Sequence, residues 1–298
     1  MTMQLKLFEA DKTKPQGLDG IVNVASVPQR SPFRYPGGKT WFVPTLRKWL
    51  LSKPRKPELL VEPFAGGGIV GLTAAFENLA ERVLLVELDP NVSAVWEILI
   101  NGNYERLATT ILDFELTHEN AMAALDKTPR STDEKAFQTI LRNRVSHGGI
   151  MAPGAGLIKN GENGKGIASR WYPETLARRI LDIGTIRAKI SFVEGDAFKA
   201  IEDYVEDKNT TFFIDPPYTA AGKKAGRRLY SHHALDHELL FKTLKEAKGD
   251  VVFTYDNSDE LVRMAKSFKF ETQLIPMKNT HHAEMTELLI GKDLKWLK

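Results

Sequence analysis

Asp215-Pro216-Pro217-Tyr218, at the end of the apolar run Phe212-Phe213-Ile214, is the group best suited to chemistry in this chain. Two consecutive prolines have no backbone N–H to give a sheet, so a strand must stop there. Pro217 holds Pro216 in extended geometry, which leaves the Pro216 carbonyl without a secondary-structure partner. A carboxylate, a fixed carbonyl and a tyrosine ring make two acceptors beside a stacking surface. That set suits a planar group carrying an exocyclic NH2, such as a nucleobase amino group. Alone, the same residues also fit a strand followed by a proline-rich turn.

A second stretch supplies a companion site. Glu58 to Val61 is apolar apart from its first residue, and Glu62-Pro63-Phe64-Ala65-Gly66-Gly67-Gly68-Ile69-Val70-Gly71 follows directly, then a helical stretch over 72–78. Strand, glycine loop and helix form a nucleotide-binding turn. Gly66, Gly68 and Gly71 match the G-x-G-x-x-G spacing, and Glu87 ends a further strand about twenty residues on, where a carboxylate can take the two hydroxyls of a ribose. This fingerprint fits a nicotinamide cofactor as well as S-adenosylmethionine.

The elements that position these residues follow from runs and breakers. Strands are expected near 58–62, 82–88, 190–194, 210–215, 250–255, 270–275 and 285–290. Their alternation with helices implies a parallel, doubly wound α/β sheet that binds ligands at the carboxyl ends of its strands. A helix follows Gly37-Gly38, with Trp41, Leu46, Trp49 and Leu50 as its apolar stripe. Residues 1–30, broken by Pro15, Gly17, Gly20 and Pro28, read as a flexible N-terminal arm. Between 102 and 189 the alternation breaks. Helical stretches at 104–112, 134–145 and 173–183 surround the glycine-rich segment 148–166, which reads as a loop or hairpin. The expected organisation is a catalytic domain over 31–101 and 190–298, with 102–189 as a target-recognition insert.

With 298 residues, of which 42% are hydrophobic, the chain can bury one large core. No apolar run approaches the ~20 residues of a membrane span, so no membrane partner is expected. Zero cysteines exclude disulfides and thiolate metal sites. Net charge is only +3, but its distribution is uneven. Residues 130–190 carry eleven Lys/Arg against five Asp/Glu, a local +6 that leaves the remainder near −3. Lys223, Lys224, Arg227 and Arg228 follow the Asp-Pro-Pro-Tyr stretch. Cations beside an acceptor pocket are what a polyanion presenting an extruded base requires.

In these residues the chain resembles the Dam-type, alpha-class DNA adenine-N6 methyltransferases. The matching pieces are Phe33 to Lys39, Glu62 to Gly68, Val86 to Asp89, Gly195 to Phe198 and Asp215 to Tyr218, with 251–257 and 286–291 similar to the family's late strands. The resemblance implies a Rossmann-like S-adenosylmethionine-dependent methyltransferase sheet with an inserted, mostly helical DNA-recognition lobe. It implies methyl transfer to adenine N6 of a flipped-out base in double-stranded DNA, with Asp215, Pro216, Pro217 and Tyr218 as the catalytic motif. Glu62 to Gly68, including Phe64, Gly66 and Gly68, would face the methionine moiety. Glu87 would hold the ribose, Asp196 the adenine amino group of the cofactor, and Phe198 its ring. Tyr35 stands where many relatives have Trp and can still stack; Lys39 is a cofactor-side or structural candidate. Arg34 is expected to reach DNA, and the segment Arg142-Asn143-Arg144 to read base edges. Such an enzyme is cytoplasmic, bacterial or phage-encoded, and belongs to restriction-modification or solitary methylation systems.

Rival readings are another amino methyltransferase, acting on cytosine N4, RNA adenine or a protein glutamine amide, and a nicotinamide-dependent oxidoreductase. Asp215 as first motif residue favours adenine, and the oxidoreductase leaves Asp215–Tyr218 unexplained. Cytosine C5 chemistry is excluded because that family needs a cysteine nucleophile. His233 and His237 have a helical zinc spacing but lack a third ligand, so no metal is expected. Gln4-Leu5-Lys6-Leu7-Phe8 is similar to the pentapeptide by which bacterial DNA enzymes dock on the replication sliding clamp, with the residues to about 30 as a tether.

Overall fold

The computed structural model describes residues 26–34, 38–151, 156–161, 164–217, 235–278 and 284–298. Seven strands form one sheet in the order β3-β2-β1-β4-β5-β7-β6: β1 Leu59–Glu62, β2 Arg82–Glu87, β3 Ile190–Glu194, β4 Thr210–Ile214, β5 Asp250–Asp256, β6 Glu271–Lys278 and β7 Glu284–Gly291. All seven fall where the apolar runs place them. β1 to β5 are mutually parallel, whereas β7 runs antiparallel to both β5 and β6, so the sheet is mixed and ends in a hairpin. The central strands β1 and β4 are buried along their whole length, as expected when helices cover both faces.

Helices α1 Val43–Leu51, α2 Ile69–Phe76, α3 Pro90–Ile100, α4 Tyr104–Asp113, α5 His118–Leu125, α6 Thr132–Val145 and α7 Pro173–Ile186 precede β3; α8 Ala197–Tyr204, α9 His237–Lys245 and α10 Asp259–Ser267 follow it. Many start at caps written in the sequence. Asp89, Asn103, Thr117, Ser131, Asp196, Asp236 and Ser258 each accept a backbone N–H of the following turn; such caps contribute about 1 kcal/mol each.

Two apolar cores lie on opposite faces of the sheet. One joins Leu60, Leu85 and Phe213 to Trp41, Trp49, Trp96, Ile140 and Ile180, so α6 and α7 share a core with α1 and α3. The other joins Val61, Phe212 and Phe253 to Ile201, Phe241 and Leu261 of α8, α9 and α10. Trp49 closes the base of α1 by donating from Nε1 to Asp250 Oδ2 at 2.8 Å. Among the described residues no helix is long and apolar enough to cross a membrane.

Candidate active site

The order of strands reverses between β1 and β4, and ligands bind open α/β sheets at such a switch point, beyond the carboxyl ends of the strands. Glu62, Glu87 and Asp215 all stand at that edge: the first two close β1 and β2, and the third follows the last residue of β4.

Asp215 is held from two elements. Thr254 of β5 donates its hydroxyl to Oδ1 at 3.0 Å. Lys39, on a short 3-10 turn over Lys39–Phe42, brings Nζ to 3.0 Å from the same oxygen. Glu287 of β7 lies on the far side of Lys39, with Oε2 3.6 Å from Nζ. Lys39 is only 3% exposed. Burial alone would drive off its proton, but Asp215, Glu287 and Asp256 outweigh it and raise the ammonium above the usual lysine value. Burial pushes the Glu287 carboxyl up to about 7, with Asp215 and Asp256 adding repulsion and Lys39 opposing. Pro216 is buried and Pro217 half-buried beside this cluster in sequence. Beneath it, Tyr255 is buried and its hydroxyl lies 2.9 Å from His237 Nδ1; burial and the Asp215 charge hold the phenol well above its ordinary value. His237 therefore stands at the first turn of α9, and burial lowers its imidazole. His233 lies outside the described residues.

The glycine loop forms the other half. Gly66 and Gly68 adopt left-handed φ of 47° and 62°. A Cβ on Gly68 would sit 2.6 Å from the Trp96 ring, so only glycine fits there. Trp96 Nε1 donates to the Gly66 carbonyl at 3.0 Å and fixes the loop to α3. Glu87 Oε2 accepts the Gly66 N–H at 2.8 Å, while Oε1 accepts those of Leu88 and Asp89, both at 2.9 Å. Burial raises its pKa despite these bonds. Glu62 turns inward instead of toward the loop surface: it is buried and accepts the Gly71 N–H of α2 at 2.7 Å. Burial pushes its carboxyl to about 8. Asp196 is exposed beyond β3, and its Oδ1 caps α8 through Phe198 N and Lys199 N. Phe64 and Phe198 are half-buried against the second core.

Of the expected DNA-facing residues, Arg34 and Arg142 are half-buried. Asn143 and Arg144, expected to read base edges, are instead buried. Asn143 is consumed by backbone, accepting from Arg34 N at 2.8 Å and donating to the carbonyls of Arg34 and Gly149 at 3.0 and 2.8 Å. Arg144 donates to the Pro32 carbonyl. An alternation that puts one face of a helix outside puts the other inside, and these two lie on the inner side of α6 against residues 31–34. Tyr35, Tyr218, Lys223, Lys224, Arg227, Arg228 and the segment Gln4–Phe8 lie outside the described residues.

Thr254 and Glu287 are site residues that sequence reasoning missed, although their strands were placed. Glu287 had a signal: it directly precedes the apolar run Leu288-Leu289-Ile290 in a strand, where a sheet interior admits charge only with a partner.

A mixed seven-stranded α/β sheet with a glycine loop after β1, an acid closing β2 and an Asp-Pro-Pro segment after β4 is a Rossmann-like sheet. The family model described as D12 class N6 adenine-specific DNA methyltransferase matches residues 35–138 of the chain, a stretch that contains Lys39, the loop and Glu87. The protein is a methyltransferase whose methyl donor is S-adenosylmethionine. The residues present are compatible with that donor: a glycine loop whose Gly68 position admits no side chain, beside the Glu87 carboxylate that accepts the Gly66, Leu88 and Asp89 N–H groups. No curated protein sequence matches the chain. Solved structures with the same outline include a precorrin-6y C5,15-methyltransferase from Geobacter metallireducens, 11% identical, covering 82% of this chain and 85% of its own, TM-score 0.34. A Pyrococcus horikoshii protein assigned as an RNA methyltransferase is 11% identical over 93% and 90%, TM-score 0.39. The rRNA methyltransferase AviRa from Streptomyces viridochromogenes is 10% identical over 93% and 96%, TM-score 0.38. Scores this low bear on neither the substrate nor the site of this chain.

Proposed function

We propose that this enzyme transfers the methyl group of S-adenosylmethionine to N6 of adenine within a specific sequence of double-stranded DNA, on a base turned out of the duplex. The observation that supports the reading best is the Asp215 carboxylate, pinned by Lys39 and Thr254 at the carboxyl edge of β4 next to the switch point. Bound S-adenosylmethionine supplies an electrophilic methyl group on a sulfonium sulfur. The chain must make the adenine amino nitrogen a competent nucleophile, because its lone pair is delocalised into the ring. Asp215 and the Pro216 carbonyl accept the two N–H groups, which favours a pyramidal nitrogen and stabilises the positive charge that grows on it. Tyr218 stacks on the base, worth ~1–3 kcal/mol. Lys39 fixes the direction of the carboxylate and does not touch the reacting atoms. A paired amino group is out of reach inside a duplex, so extrusion is required. In this reading 31–101 and 190–298 form the catalytic domain and 102–189 reads the target.

The test is base-resolved sequencing of DNA from a methylation-free host expressing the chain, with Asp215→Ala as control. N6-methyladenine at one recurrent sequence, absent from the control, is expected. Methyl groups on cytosine N4, or only on RNA, would overturn the assignment.

A further inference from the structure

Two arginines of this protein meet a carboxylate. Arg30 and Arg47 share Glu77, at 3.0 and 2.7 Å. Arg34, Arg144 and Arg179 do not. They converge where the strap of residues 31–34 crosses α6 and α7, and what they meet there is backbone: Arg179 Nη1 donates to the Ser31 carbonyl at 3.1 Å, and Arg144 donates to that of Pro32. Asn143 clamps the Arg34 peptide from both sides. Gly149 lets the strap come this close, since at its φ of 76° any side chain would run into the Arg34 carbonyl. The strap is therefore fixed, and with it the direction of its cations.

Charge balance in this cluster is missing. Burial and then the charges of Arg179 and Arg34 push the Arg144 guanidinium down to about 9. Arg34 is lowered by burial and by Arg170, with only Tyr172 opposing; Arg179 is lowered by burial and Arg178. No carboxylate contributes to any of the three. Arg144 is 5% exposed, yet its Nε has no hydrogen-bond partner, and neither has the buried Nη1 of Arg34. Burying a cation without a counter-ion is costly. Here one buried and two half-buried guanidinium groups stand together with two donor atoms unspent, which suits an anion that comes from outside. Tyr172, 45% exposed and adjacent to Arg34, adds an accessible aromatic ring to the rim.

We propose that the Arg34–Arg144–Arg179 cluster on the 31–34 strap is a phosphate-binding site that grips a phosphodiester of the DNA backbone. The proposal rests on the DNA-methylation reading above. Two half-buried guanidinium groups reach the phosphate from the surface, and Arg144 supports it from beneath. Arginine forks match phosphate oxygens in pairs. Because phosphates carry no sequence information, the site sets register, not target choice.

The test compares wild type, Arg34→Gln, Arg179→Gln and the double variant, each first shown to melt as wild type does. Binding to a methylatable duplex and to a scrambled one is measured by anisotropy over a range of salt. In the double variant, affinity should fall roughly three- to tenfold on both duplexes alike, and the log–log salt slope should flatten by up to about 0.9. Inorganic phosphate should raise the melting temperature of wild type and not of the double variant. An unchanged slope with wild type still binding overturns the site alone. Phosphate stabilisation with an unchanged slope means a free anion, and overturns the DNA assignment of the cluster. Wild type that binds no duplex overturns the DNA reading and this site with it.

Discussion

Lys39 and Arg144 are both buried cations within a few residues or contacts of the same strap, and the protein treats them in opposite ways. Lys39 lies between Asp215 and Glu287 with Asp256 nearby, and the acids raise its pKa against the pull of burial. Arg144 faces Arg34 and Arg179, and its pKa falls to about 9. A cation neutralised from within is part of the frame: it orients a neighbour whatever the solution contains. A cation left uncompensated is matched to something that arrives. Glu62 shows a third solution, since it is buried with no cation and takes up a proton instead.

The internally balanced cluster should be the most sensitive to change. Lys39→Met leaves Asp215 and Glu287 facing each other and is expected to cost about 3–5 kcal/mol of stability, read from chemical denaturation, along with most of the turnover. Adding Glu287→Gln should return part of that stability, because the two sites share one interaction. A double variant no more stable than Lys39→Met would show that the triad is not coupled. Asp215→Ala separates chemistry from frame. Methylation should slow by ~10²-fold or more while S-adenosylhomocysteine binding changes little; near-normal turnover would sink the proposed mechanism.

These contrasts were only partly legible in the sequence. All seven strands were, the central ones because buried parallel strands are largely apolar runs with glycine, proline and charge at their ends, as in Thr210-Thr211-Phe212-Phe213-Ile214 before Asp215. The motif residues at strand ends were legible for the same reason. The sense of β7 was not, since a strand's residues record burial but not direction. Nor was the pairing of Lys39 with Glu287, which are 248 positions apart in sequence and meet only because β7 inserts beside β5. Asn143 and Arg144 read as surface residues because polar residues in a basic segment do; the packing of 31–34 against α6 shows that both are buried, Asn143 consumed by backbone and Arg144 keeping its Nε unspent.

Glu62 gives the comparison a pH axis. Its folded pKa of about 8 lies above the ordinary 4.5, so between those values the folded state keeps a proton that the unfolded state releases. Stability is then fully present below about 4.5 and declines as pH rises through about 8. Glu62→Gln should flatten that decline in denaturant midpoints measured across the range. Glu287, raised to about 7, acts with the same sign, so more slope remains in the single variant than when both are amides. A wild-type stability that rises from pH 5 to 8 would contradict the burial of these acids.

The smallest effect is expected where charge is unbalanced. Arg34→Gln removes a repelling cation whose Nη1 has no partner, so little is lost in the folded state. The folded protein surrenders no ion pair there, and relief of repulsion from Arg144 offsets the lost packing of the arginine stem. In phosphate-free buffer its stability should stay within about 1 kcal/mol of wild type, the range of ordinary partly exposed substitutions. Set beside Lys39→Met, this asymmetry separates a framework cation from a ligand cation without any substrate present. A loss as large as that of Lys39→Met would mean that Arg34 is compensated inside the fold, and the distinction between the two clusters would collapse.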